Sequence, residues 1–215
     1  MLSATPSCGP LSRSDFNDLL TREREAASKN AFTPRNTVRC NEAAIFRTKA
    51  ARHAACLLDA DPFVLSWSCL PRLISWKDGQ HVPDFLVKKS SGIAYIDVTP
   101  VTGNAPPSWM PEAAKAQGWR YEVMSEASFA DGCRLANAQE MLRYAAFDVS
   151  LGDRVRVLSF LEEHGPAPLA TCMTVIRNGQ DPVGVLAALA LRRFIDIEID
   201  EALLGPDTRV SCFRS

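Results

Sequence analysis

The stretch that decides the fold is His81-Val82-Pro83-Asp84-Phe85-Leu86-Val87-Lys88-Lys89-Ser90-Ser91-Gly92-Ile93-Ala94-Tyr95-Ile96-Asp97-Val98-Thr99. Two short β-rich runs, Asp84 to Lys88 and Ile93 to Val98, flank Lys89-Ser90-Ser91-Gly92, and a glycine-containing loop between such runs predicts a hairpin at the centre of a sheet. The hairpin brings Asp84 and Asp97 to facing ends of paired strands. Two carboxylates so placed can hold one hard divalent ion such as Mg²⁺, which takes oxygen ligands. An ion held there can activate water against a phosphodiester. The same pattern also fits a plainer reading, with Asp84 as a turn residue after Pro83 and Asp97 on the exposed face of an edge strand.

Upstream, residues 41 to 60 contain no Gly or Pro, and Ile45, Ala51, Cys56 and Leu57-Leu58 recur at near-helical spacing. One helix is expected, capped by Asn41 and ending before Asp61-Pro62, because the residue before a proline resists the helical region. Phe63 to Trp67 and Arg72 to Trp76 read as short strands, with Lys77-Asp78-Gly79-Gln80 as a turn. Downstream, Pro111 to Gly118 reads as a helix opened by Pro and closed by Gly, and Trp119 to Met124 as a strand. The sum is a mixed α/β domain, with a central sheet flanked by helices. Residues 1 to 13 read as an arm, with Ser14 as the cap of a short helix.

Beyond Leu135 the pattern is helical through Met141-Leu142 and again over Val155 to Leu161, closed by His164-Gly165-Pro166. Leu169 to Ile176 and Pro182 to Leu191 follow as helices. Ile195 to Ile199 and Arg209 to Phe213 read as a terminal strand pair, which suggests a small winged-helix-like module. The domain expectation is therefore an arm and short helix over 1–30, an α/β domain over 31–148 and the module over 149–215.

The 215 residues are 47% hydrophobic and 23% charged, proportions that support a real core and exclude disordered and collagen-like classes. A net charge of −1 provides no global basic field, so a nucleic-acid site would need local clustering. No run is long enough for a membrane helix and no secretory signal is legible at the start, so a cytoplasmic setting is expected and a membrane partner is not. The seven cysteines are widely spaced and contain no CxxC pair, which argues against a disulfide framework. Phosphate-cradling, dinucleotide, GxSxG and HExxH motifs are absent from the sequence, and no Ser or Cys stands in a recognisable motif with the three histidines.

Local clustering exists at Arg35, Arg39, Arg47, Lys49, Arg52 and His53. Arg47, Lys49 and Arg52 are expected to form a basic stripe able to meet a DNA backbone, or else an ordinary solvated helix face. The C-terminal acids Asp196, Glu198, Asp200, Glu201 and Asp207 point away from DNA and toward a protein partner. Trp109, in a Pro-rich loop after the second aspartate motif, either covers the site or marks a partner surface.

Residues 41 to 212 carry a family resemblance. The order helix, Leu58-Asp59-Ala60-Asp61-Pro62-Phe63-Val64, aromatic strand, His81-Val82-Pro83-Asp84-Phe85, hairpin, and Ile96-Asp97-Val98-Thr99-Pro100 resembles TnsA, the endonuclease subunit of Tn7-like heteromeric transposases. Leu135 to Tyr144 resembles the helix after its sheet, and Val185 to Val210 its C-terminal winged-helix domain. The resemblance implies a restriction-endonuclease-like, PD-(D/E)xK fold, a Mg²⁺ cofactor, and DNA with a transposase or regulator as partners. Carried over residue by residue, Asp84 and Asp97 match the metal-binding carboxylates. The lysine position holds Thr99, and the helix carrying the family's remaining carboxylate offers Thr48 to Arg52 instead. Lys88 or Lys89, Glu42 and His53 are the substitutes within reach in the sequence. The expectation is a TnsA-like pseudo-nuclease that binds DNA or a transposition partner with little or no cleavage. The alternatives are an active Mg²⁺-dependent endonuclease using Lys88, and a protein-interaction platform that binds no DNA.

Overall fold

The computed structural model describes residues 13–77, 79–178 and 181–213. Of the arm expected over residues 1–13, residues 1–12 lie outside the described residues, while Arg13 and the expected cap Ser14 already lie within a helix, their side chains outside the described residues. The chain opens with α1 (Arg13–Ser28) and continues with α2 (Lys49–Ala60) and β1 (Val64–Cys69). A short ribbon, β2 (Ile74–Trp76) with β3 (Gly79–His81), precedes the hairpin β4 (Phe85–Lys89) and β5 (Gly92–Thr99). Helix α3 (Met110–Ala116) leads into β6 (Arg120–Ser125). The main sheet has the order β1-β4-β5-β6, antiparallel at the first two junctions and parallel at the last. A mixed α/β architecture is thus present, and the expected hairpin is at its centre.

Helix α2 starts at Lys49, not at Asn41. Thr48 is the cap, its hydroxyl accepting from the Ala51 amide at 3.0 Å. The preceding residues serve the sheet: Phe46 packs against Trp67 and Phe85 with ring centroids at 6.3 and 6.4 Å. Alanines at 50, 51, 54 and 55 bring α2 close to the sheet over a core that includes Leu58, Val64, Trp67, Val87, Ile96 and Val98. The opposite face of the sheet buries Tyr95 against Met110, Ala113 and Ala114 of α3 and Ile74 of β2.

The remainder comprises α4 (Cys133–Leu142), α5 (Leu151–His164), β7 (Ala167–Pro168), α6 (Leu169–Met173), α7 (Pro182–Leu191), β8 (Ile195–Ile197) and β9 (Arg209–Cys212). The terminal strands pair as expected, antiparallel and shorter than the expected Ile195 to Ile199 and Arg209 to Phe213, within a three-stranded sheet ordered β7-β9-β8. Their core includes Leu142, Val157, Leu186 and Leu189, and it is continuous with Cys56 and Leu57 on the outer side of α2. Helix α2 therefore packs between two cores. No helix among the described residues is long and apolar enough to cross a membrane.

Candidate functional site

Asp84 and Asp97 come together because β4 and β5 are adjacent and Phe85 pairs with Ile96. The Asp84 amide donates to Asp97 Oδ1 at 3.1 Å, and the Val98 amide donates to Asp84 Oδ2 at 2.8 Å. Each carboxylate is thus braced by the other strand's end. Both are buried, at 7% and 3% exposure, so neither is the solvent-facing turn or edge residue of the plainer reading.

The cation that meets them is Arg47. Its Nε and Nη2 donate to Asp84 Oδ1 at 3.0 and 2.8 Å, and Nη2 also reaches the Val82 carbonyl at 2.9 Å. Nη2 lies 3.8 Å from Asp97 Oδ1, and Nη1 lies 3.6 Å from Glu23 Oε2 on α1. Burial alone would weaken the arginine's hold on its proton, but Asp84, Asp97 and Glu23 more than offset it and strengthen that hold. Burial pushes the Asp84 carboxyl upward even against Arg47 and the Val98 amide. On the far side, His81 Nε2 and Tyr121 Oη each donate to Asp97 Oδ2 at 2.8 Å. Burial, followed by the charge of Asp97, drives the Tyr121 phenol upward, so it stays a protonated donor.

Every oxygen of the two carboxylates therefore accepts an N–H or O–H, and a guanidinium fills the space where a cation would bridge them. A Mg²⁺ ion needs oxygens at about 2.0–2.1 Å in near-octahedral array. As packed, these residues do not fit it. Among the described residues, no group of three or more His, Cys, Asp or Glu side chains is arranged to hold a metal ion.

The other expected participants lie elsewhere. Lys88 is exposed toward the far end of β4, roughly 13 Å along the strand from Asp84 at the usual rise per residue. Lys89 pairs with Asp61 at 3.5 Å. Glu42 is exposed and faces Arg24 at 3.8 Å. Thr99 follows Asp97 by two residues on β5, on the same face of the strand. His53 lies with Arg35, Lys49 and Arg143 along a cleft between the 33–36 loop and α4, and burial followed by the Lys49 charge lowers its pKa.

The expected stripe of Arg47, Lys49 and Arg52 does not form. Arg47 is turned into the carboxylate pair, and Arg52 is fully buried. The Arg52 guanidinium donates to the carbonyls of Pro34 and Asn36 at 2.7 and 2.9 Å and lies 5.1 Å over the Phe46 ring. Of the three, Lys49 alone is exposed. Trp109 packs half-buried beside Tyr95 and Met110, against Gly79 of β3.

Sequence reading did not assign Glu23, Tyr121 or a role for His81. The available signals were the His-x-Pro-Asp spacing and the pairing of Tyr95-x-Asp97 with Tyr121-x-Val123 on neighbouring parallel strands. The chain matches no protein-family model, and no curated protein is significantly similar to it.

Proposed function

We propose that the chain is a TnsA-like nuclease-fold protein of a mobile genetic element that acts by binding DNA or a transposition partner, with little or no cleavage activity. The observation that carries this reading is the Arg47 guanidinium between Asp84 and Asp97. The carboxylate pair stands where the family resemblance expects a metal, but an internal cation neutralises it. Thr99 at the lysine position further removes the ammonium that would polarise water. The sheet order, an antiparallel meander followed by a parallel strand after a helix, is consistent with the restriction-endonuclease-like fold. The three-stranded C-terminal sheet with α5 to α7 is the part read as winged-helix-like.

DNA contact in this reading comes from Arg35 and Lys49 along the cleft beside His53, since Arg47 and Arg52 are engaged internally. The C-terminal module, with Asp196 and Asp200 exposed, is the face for a protein partner. A platform that binds protein alone is favoured by one further observation, the exposed Phe63 and Leu65 at the β1 edge. The deciding experiment incubates purified protein with supercoiled and linear DNA in Mg²⁺ or Mn²⁺ and measures binding and nicking separately. Salt-sensitive binding without nicking is the expected result. Robust nicking abolished by Asp84→Ala would overturn the pseudo-nuclease reading, and absence of DNA binding would leave the platform.

A further inference from the structure

Three of the six buried side-chain atoms without a hydrogen-bond partner among the described residues belong to one cleft. They are Arg39 Nη1, Arg193 Nε and Asp59 Oδ2, and the cleft, of about 370 Å³, lies where the C-terminal end of α2 and the start of β1 meet α7 and β8. Native interiors leave few such atoms unpaired, so three around one space mark a missing ligand atom or water. The partners that do exist hold the groups in place. Arg39 Nη2 donates to the Leu191 carbonyl at 3.3 Å, and Arg193 Nη2 donates to the Val64 carbonyl. Asp59 Oδ1 accepts from the Arg39 amide and from Trp67 Nε1, both at 2.9 Å.

The two arginines also oppose each other. Burial, followed by the charge of Arg193, lowers the Arg39 pKa to about 10. Arg193 sits just past the end of α7 with φ 61°, the left-handed conformation in which a helix end usually places glycine. A non-glycine residue in that conformation, near enough to a second guanidinium to lower its pKa, is strain of the kind retained at ligand sites. An anion between the two guanidiniums removes the repulsion and pairs both free N–H groups.

We propose that this cleft binds inorganic phosphate. Two guanidiniums match its charge, and the unpaired Asp59 oxygen requires a proton donor that a carboxylate or sulfate does not bring at neutral pH. Inorganic phosphate brings one, because HPO₄²⁻ keeps a P–OH at neutral pH, whereas a monoester, with its second pKa at about 6, has largely lost it. Burial raises the pKa of Asp59, against the pull of Trp67 Nε1 and the amides of Arg39 and Val38. Asp61, Asp196, Glu198 and Asp200 line the rest of the cleft. Arg134 lines the same cleft and pairs with Asp200 at 2.7 Å, so these carboxylates are in part neutralised. The site is separate from the Arg47 cluster and stands whether or not the nuclease-fold reading does.

The test titrates the full chain with inorganic phosphate, glycerol 3-phosphate and sulfate, following the Arg Nε–H resonances and the melting temperature. A saturable shift of the Arg193 resonance with phosphate is expected, with sulfate weaker by about tenfold because it lacks the hydrogen bond to Asp59. Arg193→Gly suits the backbone at this position, so it should fold and lose about tenfold or more in phosphate affinity. Its DNA binding should stay unchanged, which separates this site from the proposed function. Glycerol 3-phosphate, mostly without a P–OH at neutral pH, should bind more weakly than inorganic phosphate, and equal or tighter binding of it would overturn the hydrogen bond to Asp59. No saturable response, an equal response to sulfate, or an undiminished response in Arg193→Gly would overturn the proposal.

Discussion

The guanidinium of Arg47 bonds Asp84 Oδ1 through two nitrogens, at 3.0 and 2.8 Å, and so ties the loop before α2 to the end of the central hairpin. The ion pair is part-buried, with the arginine side chain 25% exposed and the aspartate 9%. It is therefore screened far less than a surface ion pair. The residue that neutralises the carboxylates also anchors the segment that the sequence pattern assigns to a helix.

Removing Arg47 should be costly. Arg47→Met leaves Asp84 and Asp97 buried without their cation, and breaking a buried pair typically costs about 3–5 kcal/mol. A loss toward the lower end of that range is expected in urea unfolding, since the arginine retains some solvent exposure. The double variant Arg47→Met/Asp84→Asn should recover a large part of it, because the charge left unpaired is removed as well. In Arg47→Ala, Mn²⁺ should raise the melting temperature, whereas the parent should be indifferent to it. A parent stabilised by Mn²⁺ as strongly as the variant would show that Arg47 does not compete with a cation.

DNA binding should follow the exposed cations. Arg35→Ala/Lys49→Ala is expected to weaken binding across sequences and to reduce the slope of log affinity against log salt by roughly 0.9 for each duplex phosphate that is no longer neutralised. Arg52→Met should instead lower stability, since its guanidinium secures the Pro34 and Asn36 carbonyls and stacks on Phe46. Its salt slope should be that of the parent. An Arg52 variant that keeps its stability but loses salt-dependent binding would contradict the buried placement.

The β4–β5 hairpin is legible in the sequence because it is local: alternation, a glycine-bearing loop and two aspartates all lie within residues 84 to 98. The end of α2 is legible for the same reason, through Asp61-Pro62. Its start is not, because the Gly- and Pro-free run from Asn41 to Thr48 is held by distant partners, Phe46 by Trp67 and Phe85, and Arg47 by Asp84. Tertiary packing there overrides the helical spacing. Basic spacing likewise cannot tell an exposed cation from one drawn inward, so it reads Arg47 and Arg52 as part of a DNA stripe although both are engaged internally. Glu23 approaches through the packing of α1, and no local pattern ties it to the hairpin.

Acid sensitivity should trace in part to Asp153. Its side chain is fully buried and closes the first turn of α5, where Ser150 Oγ accepts from the Asp153 amide at 3.0 Å. Burial raises its pKa, but the Arg177 amide, the Arg156 guanidinium and the Ser150 hydroxyl outweigh burial, and the net shift is downward. A carboxyl depressed in the fold contributes stability above its unfolded pKa, near 3.9, and loses it as pH falls through the folded value. Asp153→Asn should cost about 1–3 kcal/mol at pH 7 and progressively less below about pH 4. Urea titrations at several pH values check this, and a pH-independent difference would point to packing alone.

His81 depends on the ribbon that carries it. Gly79 opens β3, the strand that ends in His81, and a Cβ placed on it would lie 2.5 Å from Trp109 Nε1 and 2.8 Å from Trp109 Cε2. The indole therefore rests directly on the β3 backbone and clamps the ribbon against the sheet face that carries Asp97. Gly79→Ala must push the indole or the strand aside, and overpacking of this kind typically costs about 1–3 kcal/mol. A red-shifted tryptophan emission and a shifted His81 ring resonance are expected, because loosening β3 weakens the His81–Asp97 hydrogen bond. Adding Trp109→Leu to Gly79→Ala should then cost less than Trp109→Leu costs alone, since the clash is relieved at the same time. If Gly79→Ala matches the parent in stability, emission and the His81 resonance, Trp109 does not clamp the ribbon, and His81 is held by its pairing with Ile74 and by Asp97.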